Sequence, residues 1–123
     1  MRAFKNKWFA RYASKKDIQD KELLEMMKQL EDEQAGANLG GGVYKVRVAK
    51  PGEGKSGGHR VVVFFKRGER TFYVYGFEKS NRDNINDKEL KVYKEAAKEY
   101  FLMTPEQLEK RIKNGQLIEL KGD

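Results

Sequence analysis

Two runs, Arg60–Lys66 (RVVVFFK) and Thr71–Phe77 (TFYVYGF), are dense in β-branched and aromatic residues, and only Arg67-Gly68-Glu69-Arg70 separates them. Such side chains pack well on a pleated surface, and a short Gly-containing link between two such runs reads as a hairpin turn. A third run, Val43–Ala49, alternates, with Tyr44, Val46 and Val48 on one face and Lys45 and Arg47 on the other. The three runs predict an antiparallel meander. Tyr73, Tyr75 and Phe77 are expected to share one face of its last strand. They read as core, because the sheet must bury a face, with a base-stacking platform as the second possibility.

The flanking periodicity is helical. Lys7–Lys15 sets Trp8, Phe9, Tyr12 and Ala13 on one stripe. Asp20 is the expected cap of a second helix to about Glu33, with Leu23, Met26, Met27 and Leu30 at i, i+3, i+4, i+7 and the Met pair as core filler. The glycines of Ala35–Gly42 break that helix. A third helix begins at Asn86, where Glu89 completes a capping box, and turns Leu90, Tyr93, Ala97 and Tyr100 inward. Thr104-Pro105-Glu106-Gln107 opens a fourth, Gly115 ends it, and Leu117–Leu120 suits a short strand. The expectation is a single α+β domain over residues 1–123: a small antiparallel meander with the N-terminal helices packed on one face, followed by C-terminal helices, all assigned to that same face.

Charge then narrows the function. The chain carries 26 Lys and Arg against 19 Asp and Glu, a net +7. Residues 45–82 hold ten basic side chains and three acidic ones, an excess equal to that of the whole chain. A localised basic block points to a polyanion, most often RNA or DNA phosphate. The absence of Cys removes disulfide scaffolds, zinc ribbons and thiol catalysis, and a single His, His59, removes multi-His metal sites. Neither a metal nor a cofactor is expected. No apolar stretch approaches the roughly 18–20 residues of a membrane span, and MRAFKNKWFARYASKK lacks the apolar core of a secretory signal, so a cytoplasmic protein is expected.

Ala49–Ser56 (AKPGEGKS) fits a relaxed phosphate-loop pattern, but a β-rich run follows it where that loop requires a helix N-terminus. It reads instead as a flexible glycine loop that lets backbone and Lys55 approach a phosphate.

The stretch VYKVRVAKPGEGKSGGHRVVVFFKRGERTFYVYGFEKSNRDNINDKEL resembles toxins of the bacterial RelE/ParE superfamily, in the RelE/HigB-like branch with a Gly-Lys-Ser-Gly-Gly-aromatic/His-Arg loop. The likeness extends to the opening FKNKWFARYA and the closing LIEL. It implies a small cytoplasmic toxin that enters the ribosomal A site and cuts mRNA. It also implies a cognate antitoxin encoded beside it, usually a helix-turn-helix protein in this branch. Position by position it points to Lys45 and Arg47, then Arg60, then Lys79 and Arg82. Other members place a Tyr about six residues after the Arg matching Arg82, where this chain has Lys88; its next tyrosine is Tyr93. The identity of the general base is thereby left open.

The implied reaction is attack of a ribose 2′-OH on the adjacent phosphate with departure of the 5′-oxygen. It needs a base, an acid and positive charge for the transition state. Strand alternation sets Lys45 and Arg47 about 7 Å apart on one face, where antiparallel pairing brings Arg60, and Arg82 enters from the connection behind the third strand. A Lys packed among cations gives up its proton more readily, which makes Lys45 the candidate base. His59 is a candidate acid or a stacking group, although adjacent strand residues face opposite ways unless a bulge intervenes. Lys50, Lys55, Lys66, Arg67 and Lys79 are the expected RNA-binding cations around this set. Two alternatives remain: a non-catalytic toxin of the same fold that inhibits a protein such as DNA gyrase, and an RNA- or ribosome-binding module that does not cleave.

Overall fold

The structure, a computed structural model, describes residues 1–34, 36–48, 58–82 and 84–121. Its centre is the meander: β3 (Val43–Val48), β4 (His59–Phe65) and β5 (Arg70–Glu78) pair antiparallel in sequence order. Three further strands complete a six-stranded sheet of order β2-β3-β4-β5-β1-β6. The short β2 (Ala37–Gly40) pairs antiparallel with β3, β1 (Arg2–Asn6) lies parallel to β5, and β6 (Leu117–Glu119) runs antiparallel to β1. Four helices cover the sheet: α1 (Lys7–Lys15), α2 (Asp20–Glu31), α3 (Asp87–Leu102) and α4 (Pro105–Lys113).

The helices divide between both faces, which corrects the single-face expectation. Phe9, Ala13, Leu23, Met26, Met27 and Leu30 of α1 and α2 pack on Val46, Val48, Val61, Val63, Phe65 and Tyr73. Ala97, Met103 and Leu108, from α3, the turn after it and α4, pack on Phe4, Val43, Val62, Phe64, Phe72 and Val74. With a helical layer on each side, every residue of β4 is buried. That explains its continuous apolar run: a strand covered on both faces has no need to alternate.

A bulge interrupts the β4–β5 register. Val62 pairs with Tyr75 but Val63 pairs with Tyr73, so Val74 is an extra residue on β5. It sends Tyr73 into the α1/α2 layer, where its hydroxyl donates to the Leu23 carbonyl, and Tyr75 into the α3/α4 layer. The expectation that Tyr73, Tyr75 and Phe77 share one face is therefore corrected. Beyond the bulge Gly76 faces α1, and a Cβ there would lie 2.6 Å from the Tyr12 ring.

Local capping follows the sequence with one change. Asn86/Glu89 and Thr104/Gln107 both form reciprocal capping boxes, with Pro105 in the first turn of α4. The cap of α2 is Gln19, not Asp20. Asp20 sits in the first turn, where a carboxylate favours the helix dipole, and accepts from Lys5 Nζ at 2.8 Å.

Candidate active site

Antiparallel register decides which cations meet. Arg47 is the partner of Arg60 and Lys45 of Val62, and paired residues share a face. Lys45, Arg47 and Arg60 thus lie together on the side of the sheet that α3 covers, beside the start of that helix. Lys45 Nζ donates to Asn84 Oδ1 at 2.9 Å. Arg82 Nε and Nη2 donate to the Asn84 carbonyl at 3.1 and 2.8 Å, so Asn84 joins the two cations.

Arg60 has the most demanding environment. It is only 7% exposed, and burial first, then the positive charge of Arg47, lowers its hold on its proton. Its Nη1 donates to the His59 carbonyl at 3.4 Å, and no carboxylate pairs with it among the described residues. A buried guanidinium held beside a second one favours an anion between them.

Arg82 is held differently. Its guanidinium lies 5.2 Å from the Phe77 ring centre, Nη1 donates to Glu89 Oε2 at 3.0 Å and to the Tyr75 hydroxyl at 3.5 Å, and Nη2 contacts Glu89 Oε1. This pairing holds the Glu89 carboxyl below its usual range. Glu89 therefore does two jobs, reaching Arg82 and accepting from the Asn86 amide in the capping box. The cap alone explained Glu89 in the sequence, so its contact with Arg82 had no separate signal. Asn84 and Tyr75 were missed for a similar reason, since nothing in their spacing announces a contact with a cation.

The depressed Glu89 carboxyl has a consequence for pH. A carboxyl with lowered folded-state affinity for protons stabilises the fold above its unfolded value, and that contribution fades as pH falls through the folded one. Thermal unfolding of wild type and Glu89→Gln should therefore show the largest gap near neutrality, closing as pH drops below the ordinary carboxylate value of 4.5. A gap of constant size would mean that neither Arg82 nor the Asn86 amide favours the ionised carboxyl.

The remaining sequence candidates scatter. His59, grouped with the cations from the sequence, faces the other side of the sheet. It is 1% exposed, with Nδ1 2.6 Å from the Tyr12 hydroxyl and its ring edge-on to Tyr12. The reason is strand alternation, because the β4–β5 bulge falls after Val62 and leaves His59 and Arg60 on opposite faces. Lys66 and Arg67 lie at the hairpin tip, about 20 Å along β4 from Arg60 by the strand rise. There they pair with Glu69 at 3.0 Å and Glu33 at 3.5 Å. Lys79, half-buried, follows β5, and its amide donates to the Gly58 carbonyl at 3.2 Å. Lys50, Lys55 and the Ala49–Ser56 glycine loop lie outside the described residues. Lys88 is exposed in the first turn of α3. Tyr93 packs 6.1 Å from Tyr75, and burial pushes its phenol up to about 12.

A family model for the RelE toxin of the RelE/RelB toxin–antitoxin system matches residues 1–120. The chain belongs to the RelE toxin family. Its α+β sheet is consistent with the RelE fold, and membership of a toxin–antitoxin system implies a cognate antitoxin. Among the described residues of this RelE-family chain, no helix is long and apolar enough to cross a membrane.

Proposed function

We propose that this RelE-family toxin is a ribosome-dependent mRNA endonuclease that works by internal attack of a ribose 2′-OH on the adjacent phosphate. The observation that supports this most is the Arg47–Arg60 pair on one sheet face, with Lys45 beside it and Arg82 tied to Lys45 through Asn84. In the reaction the 2′-oxygen forms a bond to phosphorus and the bond to the 5′-oxygen breaks, leaving a 2′,3′-cyclic phosphate and a 5′-hydroxyl. Negative charge builds on the non-bridging oxygens, and guanidinium forks in a water-poor site stabilise it. The cations supply the charge that a metal would otherwise carry.

Lys45 is the group we assign to take the 2′-OH proton, and the departing 5′-oxygen takes up a proton from water to become the 5′-hydroxyl. Arg47 and Arg60 hold the phosphate, and Arg82 joins them when the RNA displaces Glu89. His59 acts from behind the sheet, through Tyr12, in shaping the strand that carries Arg60. The ribosome's part is to hold the 2′-OH in line with the scissile phosphate, a positioning effect that free RNA lacks. The cellular setting for this reading is the cytoplasm.

Primer extension after brief expression tests the reading. Cuts phased with codons on a translated transcript, and none on an untranslated copy, are expected, with free mRNA a poor substrate for the purified protein. Growth arrest with intact mRNA would instead favour inhibition of a protein target such as DNA gyrase. Ribosome binding without cuts would favour a non-cleaving module.

A further inference from the structure

Trp8 is the only tryptophan of the chain, and it stays 45% exposed although Phe9, the next residue of α1, is wholly buried. Its indole is firmly held. It stacks on Tyr12 at 5.3 Å and 13°, and its centre lies 4.5 Å from that of Tyr75. Tyr75 in turn accepts from Arg82 through its hydroxyl. An unbroken line of contacts therefore runs from the cationic face to an exposed indole.

Trp8 also lines a cavity of about 360 Å³ at the junction of α1, α3 and α4. Lys7, Arg111 and Gln116 also line it, and the described lining residues include no carboxylate. Arg111 is itself seated over the Tyr100 ring at 5.5 Å. Flat aromatic surface, two cations and an amide make a combination that suits a nucleotide: the indole for the base, the cations for the phosphate and the amide for a base edge.

We infer that Trp8 is a stacking platform for a nucleobase of the bound RNA, with Lys7 and Arg111 receiving the phosphate next to it. The inference rests on the nuclease reading for its substrate, because the RNA leaving the Lys45–Arg47–Arg60 face reaches Trp8 by way of Tyr75 and Arg82. The platform binds and orients, and no bond is made or broken there. A base stacked on an indole already fixed by two tyrosines loses little to the ordering of protein side chains.

The lone indole is also its own reporter. A short 2′-O-methyl oligoribonucleotide, which the enzyme cannot cut, should quench Trp8 fluorescence saturably. The quenching should weaken with salt and in Lys7→Ala/Arg111→Ala. On programmed ribosomes, Trp8→Leu should raise the protein concentration for half-maximal cleavage about 5- to 150-fold, equivalent to about 1–3 kcal/mol at 1.4 kcal/mol per tenfold. The single-turnover rate at saturation should stay within about twofold, and Trp8→Phe should restore most of the loss. Unchanged half-saturation in a folded Trp8→Leu overturns the inference. So does oligonucleotide binding, followed by anisotropy of labelled RNA, that leaves the indole unquenched. If Trp8→Leu does not fold, Trp8→Phe and wild-type quenching carry the same decision. If RNA quenches Trp8 while no mRNA is cut on ribosomes, the nuclease reading fails and the stacking site stands.

Discussion

Arg60→Ala is expected to remain folded and to cut mRNA on programmed ribosomes about 100–1,000-fold more slowly at saturation, a loss of about 2.7–4 kcal/mol of transition-state stabilisation. Arg60 is the buried member of the Arg47–Arg60 pair, and charge held away from water acts on a nearby phosphate with little screening. Its contact with the phosphate should strengthen as charge develops, so the rate should fall more than ribosome binding does. Arg82→Ala should behave in the same direction, although it also frees Glu89. Lys66→Ala/Arg67→Ala is the contrast, because those cations are exposed at the hairpin tip and already paired with Glu69 and Glu33. That double variant should weaken ribosome association and flatten its salt dependence, with little change in rate at saturation. A folded Arg60→Ala that cuts at near wild-type rate would mean that the reacting phosphate sits elsewhere.

Phe72→Ala should destabilise the protein by about 3–5 kcal/mol in urea unfolding, the usual cost of emptying a large aromatic site in a core. Phe72 is fully buried and binds three elements together: its ring stacks on Phe4 of β1 at 5.5 Å, meets Tyr100 of α3 edge-on at 4.9 Å, and lies 6.2 Å from Phe101. Val92→Ala on the same helix α3 is the control. Val92 is exposed, so its loss should stay within about 0.5 kcal/mol. A Phe72→Ala penalty under about 1 kcal/mol would show that α3 is not packed on the sheet in this way.

The meander and all four helices were legible in the sequence because each carries a periodic or propensity signal of its own. The three-residue overlap of β6 with Leu117–Leu120 was legible too, from the Gly115 stop before it. Strand β1 was not, since RAFKN buries only Ala3 and Phe4 and its partner β5 lies more than sixty residues away. Long-range parallel pairing leaves no local mark. Strand β2 was hidden by its glycine-rich surroundings and has no buried residue. The bulge at Val74 escaped because alternation in TFYVYGF is equally regular with or without an extra residue, yet it decides which tyrosine faces the site.

The grouping of cations on one face was the most legible part of the candidate site. Alternation put Lys45 and Arg47 together, and antiparallel pairing brought Arg60 opposite Arg47. The carboxylate that restrains Arg82 was hidden because Glu89 fits its capping role so well. The contact of His59 with Tyr12 was hidden because α1 and β4 are joined only by tertiary packing.

The chemistry of the cut ends tests the central claim most directly. RNA severed on programmed ribosomes by the purified toxin should carry a 5′-hydroxyl on the downstream piece and a 2′,3′-cyclic phosphate on the upstream one. Both follow from attack by the neighbouring 2′-oxygen among the cations of β3 and β4. A 5′-phosphate with a free 3′-hydroxyl would require water as the nucleophile and would contradict the account.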